Sequence, residues 1–297
     1  MKFFSKEKTI NYFSPYIEAN FTVNLEETIM VETHDCYGGQ INSESILRSD
    51  IDLGIMNQAT GPIYVNNLTK NDVLKVTISD INLDDNGIMI TSPGLGILGE
   101  EIKTPTTRIL KVRDNKIHFD KKISIPVKPM IGVIGVATKK DRIHTAIPNS
   151  HGGNMDTKDI TIGSTIYFPV FQEGGLLALG DLHASMGDGE LNGTGVEIGG
   201  RVTMKLSKIS GKQISSPILE TEQYFQFISS GDTLDKAIKN CSITTIKHLQ
   251  KFLPVNFQTA YRLLSATCDI KVSQIVNKLV TVRIAVPKTL LNKLFGE

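Results

Sequence analysis

With 297 residues, 40% of them hydrophobic, the chain can bury one large core or two intimate ones. Its 32 basic and 31 acidic residues leave a formal charge of +1, with no lysine–arginine block and no tryptophan, which argues against nucleic acid and anionic membranes as partners. Three scattered cysteines (Cys36, Cys241 and Cys268) do not form a disulfide framework, the apolar runs are too short to span a bilayer, and the N-terminus lacks a signal core, so a soluble cytoplasmic protein is expected.

In chain order, loose alternation over residues 20–32 predicts a strand with Phe21, Val23, Ile29 and Val31 as its apolar positions. It runs into a polar cluster, Glu32 to Gln40, whose Gly38-Gly39 pair permits close backbone approach. Asp35 is its best ligand candidate, and Cys36 is either a small core residue or a thiol beside a pocket. Residues 42–53 suit a short helix or ordered loop, a turn at 57–62 leads into a strand, and residues 73–78 alternate cleanly as the next. Asp84-Asp85-Asn86-Gly87 predicts a tight hairpin. The glycine-rich stretch from Ser92 to Gly99 has neither a lysine nor a following helix and is no phosphate loop. Two strands are expected around Asp114-Asn115, and a buried one over 129–137, where no G-x-G-x-x-G pattern supports a dinucleotide site. A second polar cluster spans Ile147 to Asp156; His151 and Asp156 are candidate ligands or a proton-transfer pair, and Asn154 a candidate substrate contact.

Strands over 160–171 precede the densest cluster, Gly180 to Glu190. The apolar run Leu176 to Leu179 reads as a buried strand; if it continues, Asp181 and His183 share one face. A carboxylate beside an imidazole suits a hard or borderline divalent cation. Gly187 and Gly189 let the chain turn back and bring Asp188 and Glu190 toward the same point. Glu197, flanked by Val196 and Ile198, must be paired or functional, because an unpaired buried charge is costly. Further strands at 202–209 and 218–228 lead to a helix capped by Asp232, with a stripe of Leu234, Ala237, Ile238, Cys241, Thr245, Leu249 and Phe252. Pro254 ends it, Asn256 caps a second helix carrying Ala260, Tyr261 and Leu264, and residues 279–286 form a last strand. The expectation is a mainly β protein with a C-terminal helical hairpin, one unit over 1–297 in which sub-units 1–175 and 176–297 pack together.

Three clusters that each follow a strand and mix carboxylate, histidine and glycine point to one convergent site. The run from His151 to Ile160, the stretch Gly180 to Glu190, Glu32-Thr33 with Asp35 and Gly39-Gln40-Ile41, Thr60-Gly61-Pro62 with Tyr64-Val65, and Tyr261 to Ser265 resemble the acetamidase/formamidase family over nearly the whole chain. That resemblance implies a CUB-like jelly-roll β-sandwich that hydrolyses short aliphatic amides, formamide and acetamide, to carboxylate and ammonia. It also implies a metal, zinc expected and calcium the alternative. A metal held by Asp35, Asp181 and His183, with Asp156 completing the shell, would acidify water and polarise the carbonyl. Glu190 or Asp188 would then move the proton with His151 in support, and Asn154 and Gln40 would orient the amide. A homodimer is expected on base rates. Two alternatives stand beside this: hydrolysis of another small C–N compound, and a non-catalytic calcium-binding β-sandwich. A nitrilase-type amidase is rejected, because Cys36 lies at no strand-to-helix elbow.

Overall fold

The computed structural model describes residues 1–295. Alternation builds most of the strands: along Gly200–Ile209 and Val73–Leu83, buried aliphatic side chains point inward and polar ones outward. These two strands pair antiparallel over ten positions, and Gly200–Ile209 also pairs with Thr28–Thr33, so strands from the two halves of the chain interleave. Their sheet has nine strands and ends in Tyr224–Gly231, Val280–Pro287 and Asp269–Gln274. A second sheet of eleven strands has Leu177–His183 at its centre, beside Met130–Gly135. Val31, Val76, Ile78, Phe168, Val202 and Met204 from one sheet meet Ile63, Leu110, Ile131, Ile134, Leu177 and Leu179 from the other in a single core. The architecture is a β-sandwich with a helical addition.

The strand Leu177–His183 is buried on both faces, as its unbroken apolar start implies. One of its edges is shared. Leu177 and Leu179 face Ile63 and Thr60 of Ala59–Asn66, whereas Leu182 and His183 face Ile198 and Glu197. The change of partner falls at Gly180 and Asp181, and Asp181 there takes a left-handed φ of 57°.

Helix α1 (Leu234–Phe252) and helix α2 (Phe257–Thr267) pack on the far end of the nine-stranded sheet, where Ala237, Cys241, Leu249, Ala260 and Leu264 meet Phe225, Phe227, Val282 and Ile284. Asn256 caps α2 as expected, its side chain accepting from the Thr259 N–H at 2.9 Å. Among the described residues no helix is long and apolar enough to cross a membrane.

Several local expectations are corrected. Residues 20–32 form two strands, Phe21–Asn24 and Thr28–Thr33, broken where Glu26 adopts a φ of 68°. Asp84 to Gly87 is no hairpin: the strands on either side belong to different sheets, and Gly87 is glycine because a Cβ would meet Val196 Cγ1 at 2.5 Å. Thr233, not Asp232, caps α1, while Asp232 pairs with Lys236 at 2.6 Å. Leu234 and Tyr261 are exposed, outside the buried stripes.

Inside α1, His248 is buried, with Nε2 2.9 Å from the Leu294 carbonyl, and burial lowers its pKa to about 4. The unfolded chain, with an ordinary histidine, binds a proton first. The stability that neutral His248 allows is therefore complete above pH ~6.5 and lost as pH falls from there toward 4. Between pH 7.5 and pH 5 this amounts to about 2 kcal/mol. Urea denaturation at those two values should show His248→Gln losing about 2 kcal/mol less than the parent; equal losses would remove His248 from the acid response.

Candidate active site

Three loops and two strands converge on one buried point. Asp181 and His183 come from the strand Leu177–His183, and Glu197 sits directly across from His183 on the neighbouring strand. Asp156 follows the short strand Gly152–Asn154, and Glu190 ends the turn opened by Gly187 and Gly189. All five are at least nine-tenths buried. His183 Nε2 lies 3.1 Å from Glu197 Oε2, 3.5 Å from Asp181 Oδ1 and 4.0 Å from Asp156 Oδ1. Their donor atoms fall into two adjoining groups: Asp156, His183 and Glu190, and Cys36, Asp181 and Glu197.

The backbone is strained to achieve this. Asp156, Asp181 and Glu190 all carry positive φ, at 43°, 57° and 49°. A side chain with a Cβ held there costs of order 1–3 kcal/mol, so three such residues on one cluster indicate that the fold is built around aiming these carboxylates. Glycine makes the room. A Cβ on Gly132 would lie 2.6 Å from Asp156 Oδ1 and 2.7 Å from Asp181 Oδ2, and one on Gly195 would strike the His183 ring.

Few of the inward atoms are satisfied by protein. Glu197 Oε1 accepts from the Gly195 N–H at 2.8 Å, and Asp156 Oδ2 accepts from Asn277 Nδ2 at 2.8 Å. Both ring nitrogens of His183, Asp156 Oδ1, Glu197 Oε2, Asn154 Oδ1 and the Tyr37 hydroxyl are buried without a hydrogen-bond partner. His183 Nε2 and Glu197 Oε2, although 3.1 Å apart, are not aligned as donor and acceptor. Ligand atoms around a tetrahedral zinc stand roughly 3.3 Å apart, so the separations on His183 Nε2 fit donors arranged about a cation.

The electrostatics agree. Burial first, then repulsion from Asp181, raises Asp156 to about 7, and burial raises Glu197 to about 7 despite the nearby imidazole. Burial and Asp156 push Glu190 well above the usual carboxylate range. For His183, burial favours the neutral form, but Glu197 and Asp181 outweigh it and hold the imidazole well above its usual value. Cys36 is held as a thiol by burial and by Glu197 and Asp181. Carboxylates so crowded resist ionising together, and a divalent cation among them reverses that penalty. The residues present fit a metal.

The cluster opens on a cavity of about 280 Å³ whose wall includes Asp181, Glu190, Glu197, Asn154, Asn277 and Cys36. A larger hollow, about 780 Å³, lies beside α1 at Lys212, His248 and Lys251, but no carboxylate or thiol lines it among the described residues.

Of the residues expected from sequence, Asp156, Asp181, His183 and Glu190 meet in the cluster, and Asn154 lines the cavity. Four stand apart. Asp35 Oδ1 accepts from the N–H groups of Tyr37 (2.8 Å) and Gly39 (3.3 Å), shaping the loop that carries Cys36. Gln40 is consumed by the backbone of Tyr37 and Asp52. Asp188 points away from Glu190 and is paired with the buried Arg283 at 2.8 Å and Lys158 at 3.0 Å. His151 is buried against Phe13, at 4.9 Å between ring centroids, and burial lowers it to about 3. Cys36 lines the cavity, the second of its two sequence readings, whereas Asn277 was not expected there; nothing local announces it, since it arrives from the loop after Asp269–Gln274.

The Acetamidase/Formamidase family model matches residues 2–144 and 138–293. The chain is similar to the crystal structure of an acetamidase from Bacillus halodurans, at a TM-score of 0.96 with 38% identity over 99% of this chain and 100% of that one. It is equally similar in fold to a predicted acetamidase/formamidase from Thermoanaerobacter tengcongensis, TM-score 0.96, with 39% identity over 98% of this chain and 97% of that one. A formamidase from Methylophilus methylotrophus shares 26% identity, covering 82% of this chain and 79% of that protein. The chain belongs to the acetamidase/formamidase family and is a hydrolase acting on linear amide C–N bonds.

Proposed function

We propose that this chain carries out its family's amide hydrolysis at the buried cluster, on formamide and acetamide, with zinc held by His183, Asp156, Asp181 and Glu197. The observation that carries this is the set of unpartnered atoms on His183, Asp156, Glu197 and Asn154, gathered beside one cavity. The imidazole among these donors favours a borderline ion over calcium, which takes oxygen ligands. Such an ion supplies positive charge that polarises an amide carbonyl and acidifies water.

The remaining chemistry falls to the cavity wall. An amide is a poor electrophile because its nitrogen lone pair is delocalised into the carbonyl, and the nitrogen departs only when protonated. Glu190 takes a proton as the water oxygen bonds to the acyl carbon, and returns it to the nitrogen as the C–N bond breaks. Carboxylic acid and ammonia result, and the acid's proton passes to ammonia, leaving carboxylate and ammonium. Asn154 Oδ1, buried with no partner, accepts an N–H of the amide, and Asn277 braces Asp156.

Ammonia release from formamide, acetamide and propionamide tests this, before chelation, after it, and after zinc is restored. Release that stops with chelator and returns with zinc is expected. A folded, metal-loaded protein that frees no ammonia from any of the three would overturn the assignment.

A further inference from the structure

We propose that the cavity also takes amides whose far end is a carboxylate, the half-amides of short dicarboxylic acids, with Arg48 holding that carboxylate. This rests on the amide-hydrolysis reading of the same cavity.

Arg48 lines the cavity onto which Asp181, Glu190 and Glu197 of the cluster face, and the only other basic side chain on its described wall, His144, is kept below its usual pKa by burial. Arg48 Nε is buried without a partner, and among the described residues the side chain forms no ion pair. Its neighbouring carboxylates are occupied elsewhere: Asp50 accepts from the Leu47 N–H at 2.9 Å, and Asp52 from the Gly54 N–H at 2.8 Å. A guanidinium stays charged, and its planar fork matches a carboxylate. Leaving part of it buried and unpaired is costly unless something enters to pair with it.

Size and charge give the same answer. A volume of about 280 Å³ corresponds to roughly nine waters, whereas formamide or acetamide takes the space of roughly two or three. Leu53, Met56, Ile90 and Leu95 line the same cavity and suit a short methylene chain. The buried carboxylates Asp181, Glu190 and Glu197 repel an anion, so the charged end of such a substrate settles at Arg48 and its amide faces the cluster. The reaction is unchanged: water adds to the amide carbon, the C–N bond breaks, and the departing ammonia takes the new carboxyl proton, leaving a dicarboxylate and ammonium.

The test compares succinamate with its neutral counterpart 4-oxopentanamide, using acetamide as the reference, in the metal-loaded parent, Arg48→Met and Arg48→Lys. The parent should favour succinamate over 4-oxopentanamide in kcat/KM by roughly tenfold or more, mainly through KM. Arg48→Met should collapse that ratio to near one, and Arg48→Lys should retain part of it. A parent that prefers the neutral amide overturns the proposal. So does a ratio unchanged in Arg48→Met, including the case where every substrate slows by one factor, because Arg48 then only offsets the cluster's charge. If Arg48→Met does not fold, the parent ratio and Arg48→Lys still decide. Acetamide turnover without succinamate preference defeats this proposal alone; no turnover of any amide defeats the hydrolase assignment with it.

Discussion

Glu190→Gln should lower kcat for acetamide by roughly 10³-fold and leave KM within a few-fold of the parent. The substitution keeps the size of the side chain and removes its capacity to carry a proton. Glu190 lies on the cavity wall and shares one group of donor atoms with Asp156 and His183. If its part is proton transfer, bound metal survives the change, because His183, Asp156, Asp181 and Glu197 remain. Steady-state ammonia release with metal quantification separates the two roles. A variant that loses metal and activity together would make Glu190 a ligand and move the base elsewhere on the wall.

His183→Ala should abolish metal and activity together, by more than about 10³-fold in kcat/KM. His183 is the imidazole among four buried carboxylates, and its Nε2 stands within 4.0 Å of three of them. Without it, the carboxylates of Asp156, Asp181 and Glu197 face one another with less to offset their repulsion, and Asp156 and Glu197 hold protons in place of a cation. Circular dichroism should still show a folded β-rich protein, because the cores between the sheets and under the helices do not depend on this ring. Partial recovery with added imidazole and zinc would support the loss as local. Full activity in the folded variant would remove His183 from the site.

The strands were legible where alternation is strong, as in Val73–Leu83 and Gly200–Ile209, and the helices where caps and stripes agree, as with Asn256 in α2. Asp181 and His183 were legible as a pair because a strand's period of two places them on one face, and Glu190 because Gly187 and Gly189 announce a turn. Glu197 was visible as a carboxylate between apolar neighbours, although its partner was not, since cross-strand register is a tertiary fact. Asp188 shows the limit from the other side. It sits two residues from Glu190 with the same chemistry, yet Arg283, 95 residues away, draws it out of the cluster. Asp35 and Gln40 looked like ligands and contacts because polar side chains in a glycine loop do; their hydrogen bonds to the loop's own backbone appear only in three dimensions. Asn277 and Arg48 lie in stretches with no distinguishing pattern, and only the closing of the fold brings them to the cavity.

Metal content per chain, measured on purified parent, Glu190→Gln and His183→Ala, tests the cluster-held cation most directly. A divalent ion is expected in the parent and in Glu190→Gln, and its loss from His183→Ala. Equal metal in all three, or an active parent with none, would contradict it.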